Sequence, residues 1–551
     1  MKKLKITALL ICLSAALSGC KEISQDKILV GSKSAIDSSL TESITEEEEP
    51  TAATYTEYVA EIPEITKEDA DIQIEAEDCE ISGSLFTDDE RKGFSGDGYV
   101  TGFYGGSKDK ISIPADIPAN QHYDITVCVA SDEDVSHTLT VDGESVGSFD
   151  ISAGDNFVKV TFYGIYLEKG KREFSILQKD DKNFDIDYIK IVNDEKVYDV
   201  DFQYDEKPCN PDATSEAAAL LKYMQENSGS SYLTGQYASD PRNKELDLIY
   251  RTTGKYPVIR FSDIGGYRDD ESDMKEQIGA AKKWAEKGGI VGFMWYWNAP
   301  GGLSSVYSKE TDFDLSKAST SVDNAKLSPE ELEKMYNAGE INKDCWQLIQ
   351  DIDRVSKGLS ELCDANIPVL WRPLHEAGGQ WYWWGSAGPD SYKWLYSFMY
   401  HRMTEYHGLD NLIWIWNGQS EKYMVDEDMY DIAAIDIYLD NKTKFSGRSE
   451  QYQWLKKLTD GKKLLAISEC SSVPSVDDML RDNSVWSFFG MWFGDYLTDR
   501  DGKLSEAYVT KEELIKAYNA ENAVTLDKYA GSYGFKKSED KTKKEESTDE
   551  S

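Results

Sequence analysis

The chain has 551 residues, 29% of them charged, and a formal net charge of -41. That length allows two or three domains, and the acidic excess excludes nucleic acid as a partner because nothing would offset phosphate repulsion. It also excludes anionic membrane surfaces, except through a covalent anchor, while 14 Trp and 33 Tyr suit an uncharged, sugar-like ligand as well as ordinary core.

Residues 1–19 read as a targeting segment. Lys2, Lys3 and Lys5 form its positive end, and Ile6 to Leu17 is an apolar stretch too short to span a bilayer. It closes on Leu17-Ser18-Gly19-Cys20, which resembles a bacterial lipoprotein cleavage box. The resemblance implies cleavage before Cys20 and lipidation of its thiol, with more than one acyl chain for stable anchoring. The expectation is an extracytoplasmic, cell-surface lipoprotein that meets the membrane only through Cys20; plain secretion is the alternative. Residues 20–69 are rich in Ser, Thr and Glu, including Glu46-Glu47-Glu48-Glu49-Pro50, and predict an acidic disordered tether.

Residues 70–203 alternate apolar and polar side chains in short runs: Ile72 to Glu77, Tyr123 to Val129, His137 to Val141, Phe157 to Phe162 and Arg172 to Leu177. Turn pairs such as Asp142-Gly143 and Lys169-Gly170 separate them. This spacing predicts a β-sandwich of jelly-roll type. Beyond Cys12 and Cys20, the cysteines are Cys79, Cys128, Cys209, Cys345, Cys363 and Cys470, with no C-x-x-C. A zinc site or disulfide framework is not expected, and a Cys79–Cys128 bridge stays open.

Residues 204–535 change pattern. Short apolar strands alternate with helical stretches: Tyr232 to Gln236, Tyr256 to Phe261, Gly289 to Trp297, Ile367 to Leu374, Asn411 to Trp416, Ile432 to Tyr438, Lys463 to Ser468 and Val485 to Trp492. Eight βα units predict a (β/α)8 TIM barrel with its site at the C-terminal strand ends. The whole is thus multidomain, a sandwich followed by a barrel, with residues 536–551 a disordered charged tail.

The most informative stretch is Trp371 to Gly385, WRPLHEAGGQWYWWG. A carboxyl, Glu376, ends the fourth strand beside tryptophans. Glycoside cleavage requires such a group to protonate the leaving oxygen, with indole faces stacking on sugar. The bland alternative is an aromatic core loop with Glu376 in a salt bridge, but four consecutive aromatics, Trp381 to Trp384, are not expected to share one core. A second carboxyl, Glu469, ends the seventh strand and feeds the same rim. Strand parity adds Arg372 beside Glu376, and Asp436 beside Tyr438; for Arg372 and Asp436 a structural ion pair stands equal to a substrate contact.

Arg372-Pro373-Leu374-His375-Glu376 followed by Trp381, with Asp436-Ile437-Tyr438 and Ile467-Ser468-Glu469 in order, resembles glycoside hydrolase family 26. The resemblance covers about residues 210 to 530. It implies Glu376 as acid/base and Glu469 as nucleophile in a retaining mechanism that needs no cofactor. His375, Trp381 and Tyr438 would surround the cleaved sugar, and Trp492 would be a stacking floor. Many members carry Trp-His at the end of the third strand, where this chain has Trp297-Asn298. The family is dominated by endo-β-1,4-mannanases and includes β-1,3-xylanases and mixed-linkage glucanases. The implied partner is therefore β-mannan or a related plant polysaccharide, acted on by a monomer. A non-catalytic surface protein capturing glycans is the rival from another class. A serine hydrolase is disfavoured by the lack of G-x-S-x-G.

In the sandwich, Ile74-Glu75-Ala76-Glu77, Gly93 to Val100 and Asp185 to Ile189 resemble carbohydrate-binding modules of family 35, or family 6. Glu75 and Glu77, read as i, i+2 on one strand face, with Asp187 would supply oxygen ligands to a structural Ca2+; the alternative is a solvated acidic edge. Phe184 and Tyr104 are candidate sugar platforms.

Overall fold

The computed structural model describes residues 52–178, 182–198, 202–205, 207–265, 271–300, 305–439 and 446–529. Cys20, the targeting segment and the charged tail lie outside the described residues. No helix among those described is long and apolar enough to cross a membrane.

The N-terminal unit is a two-sheet antiparallel sandwich. One sheet runs Phe86–Asp88, Tyr99–Thr101, Asp185–Asn193, Gln121–Ala130 and Val158–Leu167, with Asp71–Glu75 also on Asp185–Asn193. The other runs Glu80–Ser82, Lys110–Ile117, Gly170–Gln178, Val135–Val141 and Glu144–Ile151. Alternate residues such as Ile111, Ile113, Ile125, Val127, Phe174 and Ile189 are buried between them, which is why a period of two appears in the sequence. All six cysteines among the described residues are free thiols, so Cys79 and Cys128 are unbridged.

The C-terminal unit is a closed parallel barrel. Its strands are β1 (Tyr232–Tyr237), β2 (Ile259–Asp263), β3 (Ile290–Met294), β4 (Val369–Arg372), β5 (Leu412–Trp416), β6 (Ile432–Ile437), β7 (Leu464–Cys470) and β8 (Phe488–Met491). Each pairs with the next, and β1 pairs with both β8 and β2 to close the ring. Burial on both faces explains the unbroken apolar runs. Phe261 fills the centre: a β-carbon at Gly235, Gly292 or Gly490 would overlap its ring or approach it closely. At Gly292 the ring alone forbids a side chain, while at Gly235 and Gly490 a neighbouring strand's carbonyl, of Phe489 and Ser468, stands closer still.

Two expected ends move. The third strand stops at Met294 rather than Trp297: the Tyr296 N–H goes to the side-chain Oδ1 of Asp263, the last residue of β2, at 2.9 Å instead of to a strand carbonyl. The packed chain begins before residue 70. Tyr58 exchanges backbone bonds with Asn519 and Glu521 and donates its hydroxyl to Asp477 at 2.7 Å, while Thr66 and Glu68 bond to Asn120 and Gln121 of the sandwich. These anchors are mostly backbone groups, which a search for apolar side chains does not register. Among the described residues, 62–198 fall in one compact unit and 202–448 in the other.

Candidate active site

The site is built at the C-terminal ends of β4 to β8, where Arg372 is its centre. Arg372 is 1% exposed. Its Nη1 donates to Asp436 Oδ2 at 3.0 Å and to Asn417 Oδ1 at 3.1 Å. Its Nη2 donates to Glu469 Oε1 and to the Tyr237 hydroxyl. One guanidinium therefore spans two carboxylates that would otherwise repel. Of the two readings open for Arg372, the structure shows the ion pair: it is buried against both carboxylates and orients them.

Glu469 accepts a second bond, from the Tyr438 hydroxyl to Oε2 at 2.5 Å. Burial pushes its carboxyl up to about 7, while Arg372 and Tyr438 oppose that rise. Glu376 sits in a tight turn after β4. Both Leu374 (φ 51°) and Glu376 (φ 52°) are left-handed, a conformation that costs about 1–2 kcal/mol per residue without glycine. The turn lifts the Glu376 carboxyl off the strand line. Its Oε2 accepts from Trp381 Nε1 at 3.1 Å. Burial first, then the charges of Asp436 and Glu469, hold it well above the usual carboxylate range. The two carboxyls thus share one electrostatic neighbourhood, but only Glu469 is bonded to a cation and a hydroxyl, the asymmetry that suits a nucleophile beside a proton donor.

Around them, Tyr296, Tyr382 and Trp384 enclose His375, with ring centroids 5.1, 5.0 and 5.5 Å from it. His375 is fully buried, and burial with Arg372 nearby keeps its ring neutral. Both its ring nitrogens are buried without a protein hydrogen-bond partner. Trp381 is half-buried at the rim. Trp492 packs against Tyr237 at 4.7 Å and Tyr296 at 6.4 Å, which puts it on the floor of the same mouth.

Trp297 does not join this group. It is fully buried, stacks on Trp295 at 4.2 Å, and donates its indole N–H to Asp351 on the helix Lys343–Cys363. Tyr296 occupies the mouth instead. Met294, two residues earlier, touches Arg372 inside the barrel, and parity then carries Tyr296 inward and Trp295 and Trp297 outward. Asn298 is half-buried beside Trp297 in sequence. The aromatic run also differs from expectation. Tyr382, Trp383 and Trp384 are all buried: at the start of the short helix Trp383–Ser386, Tyr382 and Trp384 stack on each other at 4.5 Å beside His375, while Trp383 packs against Trp297 and Phe313. Trp383 donates to Trp297 O at 2.6 Å and Trp384 to His375 O at 2.8 Å. Only Trp381 of the four stays open to a ligand.

Sequence reading missed Tyr237, Tyr296, Tyr382, Asn417 and Ser468. Asn417 had a signal: a polar side chain directly after the apolar strand Leu412–Trp416.

In the sandwich, Glu75, Glu77 and Asp187 converge on the loop after Phe94. Ser95 donates its hydroxyl to Glu75 Oε2 and its N–H to Asp187 Oδ1, at 2.6 and 2.9 Å. Glu77 Oε1 accepts from the N–H groups of Asp97 and Gly98 at 2.7 and 3.1 Å. Glu77 is not on a strand: pairing ends at Glu75, and Ala76–Asp78 is a 3-10 turn. Its second oxygen, Oε2, is buried without a partner. Among the described residues no three His, Cys, Asp or Glu side chains form a metal-holding group, so the fit to Ca2+ rests on that orphaned oxygen and the hard carboxylate donors. Phe184 is core, stacked on Phe103 at 4.0 Å, whereas Tyr104 is 65% exposed.

The family model for glycosyl hydrolase family 26 matches residues 209–511. A mannan endo-1,4-beta-mannosidase from Thermothelomyces thermophilus is 32% identical over 473 residues, spanning 83% of this chain and 90% of that protein. Mannan endo-1,4-beta-mannosidase B from Piromyces sp is 28% identical, spanning 83% of this chain and 77% of that one. Among solved structures, a Podospora anserina GH26-CBM35 beta-(1,4)-mannanase has 29% identity and a TM-score of 0.56, with 85% of this chain and 100% of that chain covered. A ruminal GH26 endo-beta-1,4-mannanase has 25% identity and a TM-score of 0.59, covering 85% and 99%. Coverage of the whole Podospora chain carries the likeness through the sandwich as well as the barrel.

Proposed function

The chain belongs to glycosyl hydrolase family 26, and from that premise we propose that it is a retaining endo-acting mannanase. It cleaves β-1,4-mannosidic bonds in mannan, glucomannan or galactomannan. The observation that carries the reading is the unequal pair: Glu469 tied to Arg372 and Tyr438, and Glu376 bonded only to the Trp381 indole through its side chain.

In this reading Glu469 attacks the anomeric carbon while Glu376 gives its proton to the departing glycosidic oxygen. Water then enters, Glu376 takes a proton from it, and the glycosyl–Glu469 bond breaks with retention. Arg372 and Tyr438 keep Glu469 ionised and aimed. The Trp381 indole N–H fixes one Glu376 oxygen and leaves the other for the leaving group. His375, Trp381 and Tyr438 contact the cleaved sugar, with Trp492 as its floor. The sandwich binds carbohydrate near Tyr104 and raises local substrate concentration. Glu75, Glu77 and Asp187 would hold its Ca2+, which would add structural charge compensation only. Lipidation at Cys20 would keep this monomer at the cell surface.

The test is reducing-sugar release from glucomannan, galactomannan, β-1,3-xylan and mixed-linkage glucan by wild type and Glu469→Ala. Mannan cleavage that disappears in the variant is expected. Cleavage of another glycan alone would keep the mechanism and overturn the substrate. Binding without turnover by wild type would overturn the enzyme.

A further inference from the structure

Asn417 stands just past β5 and is fully buried. Its side-chain Oδ1 accepts from Arg372 Nη1 at 3.1 Å and from the Glu376 N–H at 3.2 Å. Its Nδ2 donates to Ala434 O at 3.0 Å, to Ser468 Oγ at 3.0 Å and to Asp436 Oδ1 at 3.4 Å. Its own carbonyl accepts from the Glu376 N–H at 2.8 Å. Donors stand on one side of the amide. On the other stand a carbonyl, a carboxylate and a hydroxyl whose proton goes to Asp436 at 2.6 Å. That asymmetry fixes which way the amide faces.

We propose that Asn417 is the positioning residue that ties the two carboxyls together, setting the stance of the Glu376 turn and the aim of Arg372 on Glu469. The proposal rests on Glu376 as acid/base and Glu469 as nucleophile. Two arguments carry it. A turn with two left-handed non-glycine residues persists only where its surroundings hold it, and the Glu376 N–H is held by two oxygens of this one residue. Arg372 divides its Nη1 between Asn417 and Asp436 and its Nη2 between Glu469 and Tyr237. Without the Asn417 oxygen, Nη1 turns wholly to Asp436 and Nη2 loses its line to Glu469. Aspartate cannot replace it, because a carboxylate would face Ala434 O and Asp436. Asn417 is placed to touch no substrate atom; it acts through its neighbours.

Asn417→Ala should lower kcat by about a hundredfold, the scale of a 1 Å misplacement, with KM within about threefold. In Asn417→Asp the acidic limb of kcat/KM should move up by about one pH unit, because an added negative charge disfavours ionisation of Glu469. Thermal melts and circular dichroism report the folded fraction. A kcat within about twofold of wild type, or a loss that tracks only the folded fraction with an unmoved limb, overturns the proposal. Silence of the wild type on every glycan would defeat the functional reading alone. Carboxyl titrations in 13C-glutamate-labelled protein, assigned with Glu469→Gln, need no substrate and still decide: an upward shift of Glu469 in Asn417→Ala supports the proposal, and an unchanged titration overturns it.

Discussion

Two carboxylate trios stand at strand ends in this chain, and they are solved differently. In the barrel, Asp436 and Glu469 pair with a single buried cation, Arg372, and Glu376 stands in the same electrostatic field. In the sandwich, Glu75, Glu77 and Asp187 surround a loop, Ser95 to Gly98, whose N–H groups and one hydroxyl serve them. A guanidinium shared between acids leaves each short of full compensation, so small differences in hydrogen bonding separate their protonation. Backbone donors dedicate themselves to particular oxygens and leave a defined vacancy, Glu77 Oε2. The first arrangement suits proton traffic; the second suits fixed structure.

The comparison breaks most visibly at the acid. Glu376→Ala should lose at least about a hundredfold in turnover on polysaccharide, the usual acid/base contribution, while melting as a folded protein. Near wild-type turnover would remove it from the chemistry. Next is the cation. Arg372→Met leaves Asp436 and Glu469 buried without a compensating cation and should cost about 3–5 kcal/mol in a denaturant titration. An unchanged midpoint would mean that the carboxyls are protonated together and need no cation.

Tyr438→Phe removes one donor from Glu469. Its carboxyl, already pushed up to about 7, should rise further, so the acidic limb of kcat/KM moves up and kcat falls by about tenfold, the value of a charged hydrogen bond of roughly 1.5 kcal/mol. An unmoved limb would transfer control of ionisation wholly to Arg372.

A stability measurement sharpens the same point. Glu376 is held well above its unfolded value, so between the ordinary carboxylate range and its folded one the native state binds more protons than the unfolded chain. Stability attributable to Glu376 therefore falls as pH rises through that window. Glu376→Gln should melt higher than wild type at neutral pH and lose the advantage near pH 4. Equal melting at both would show that the carboxyl carries no burial penalty. The smallest effect belongs to the sandwich. Glu77→Gln should abolish any chelator-induced drop in the melting of that unit and leave turnover on short soluble oligosaccharides unchanged; a chelator response equal to wild type would contradict Glu77 as a ligand.

The barrel was legible because each strand is buried on both faces and reads as an apolar run. Glu376 and Glu469 were legible because a charge directly after such a run must sit at the rim. What parity could have given, an over-long third strand hid: ending it at Trp297 made the outward Trp297 a sugar contact and passed over Tyr296. The run Tyr382 to Trp384 looked too aromatic for core, yet Tyr382 and Trp384 stack on each other beside His375 while Trp383 turns to Trp297. Asn417 was passed over because amides carry no charge, and its role exists only in the six contacts that folding assembles. Tyr58 escaped because its anchors are backbone groups inside an acidic, low-apolar stretch.

The central claim is that Glu469 forms the glycosyl-enzyme. Incubation with an activated 2-fluoro-mannoside, which accumulates that intermediate, followed by peptide mass spectrometry, tests it directly. The label is expected on Glu469, within Leu464 to Cys470, and absent in Glu469→Ala. Label on Glu376, or turnover of mannan with no residue labelled, would contradict it.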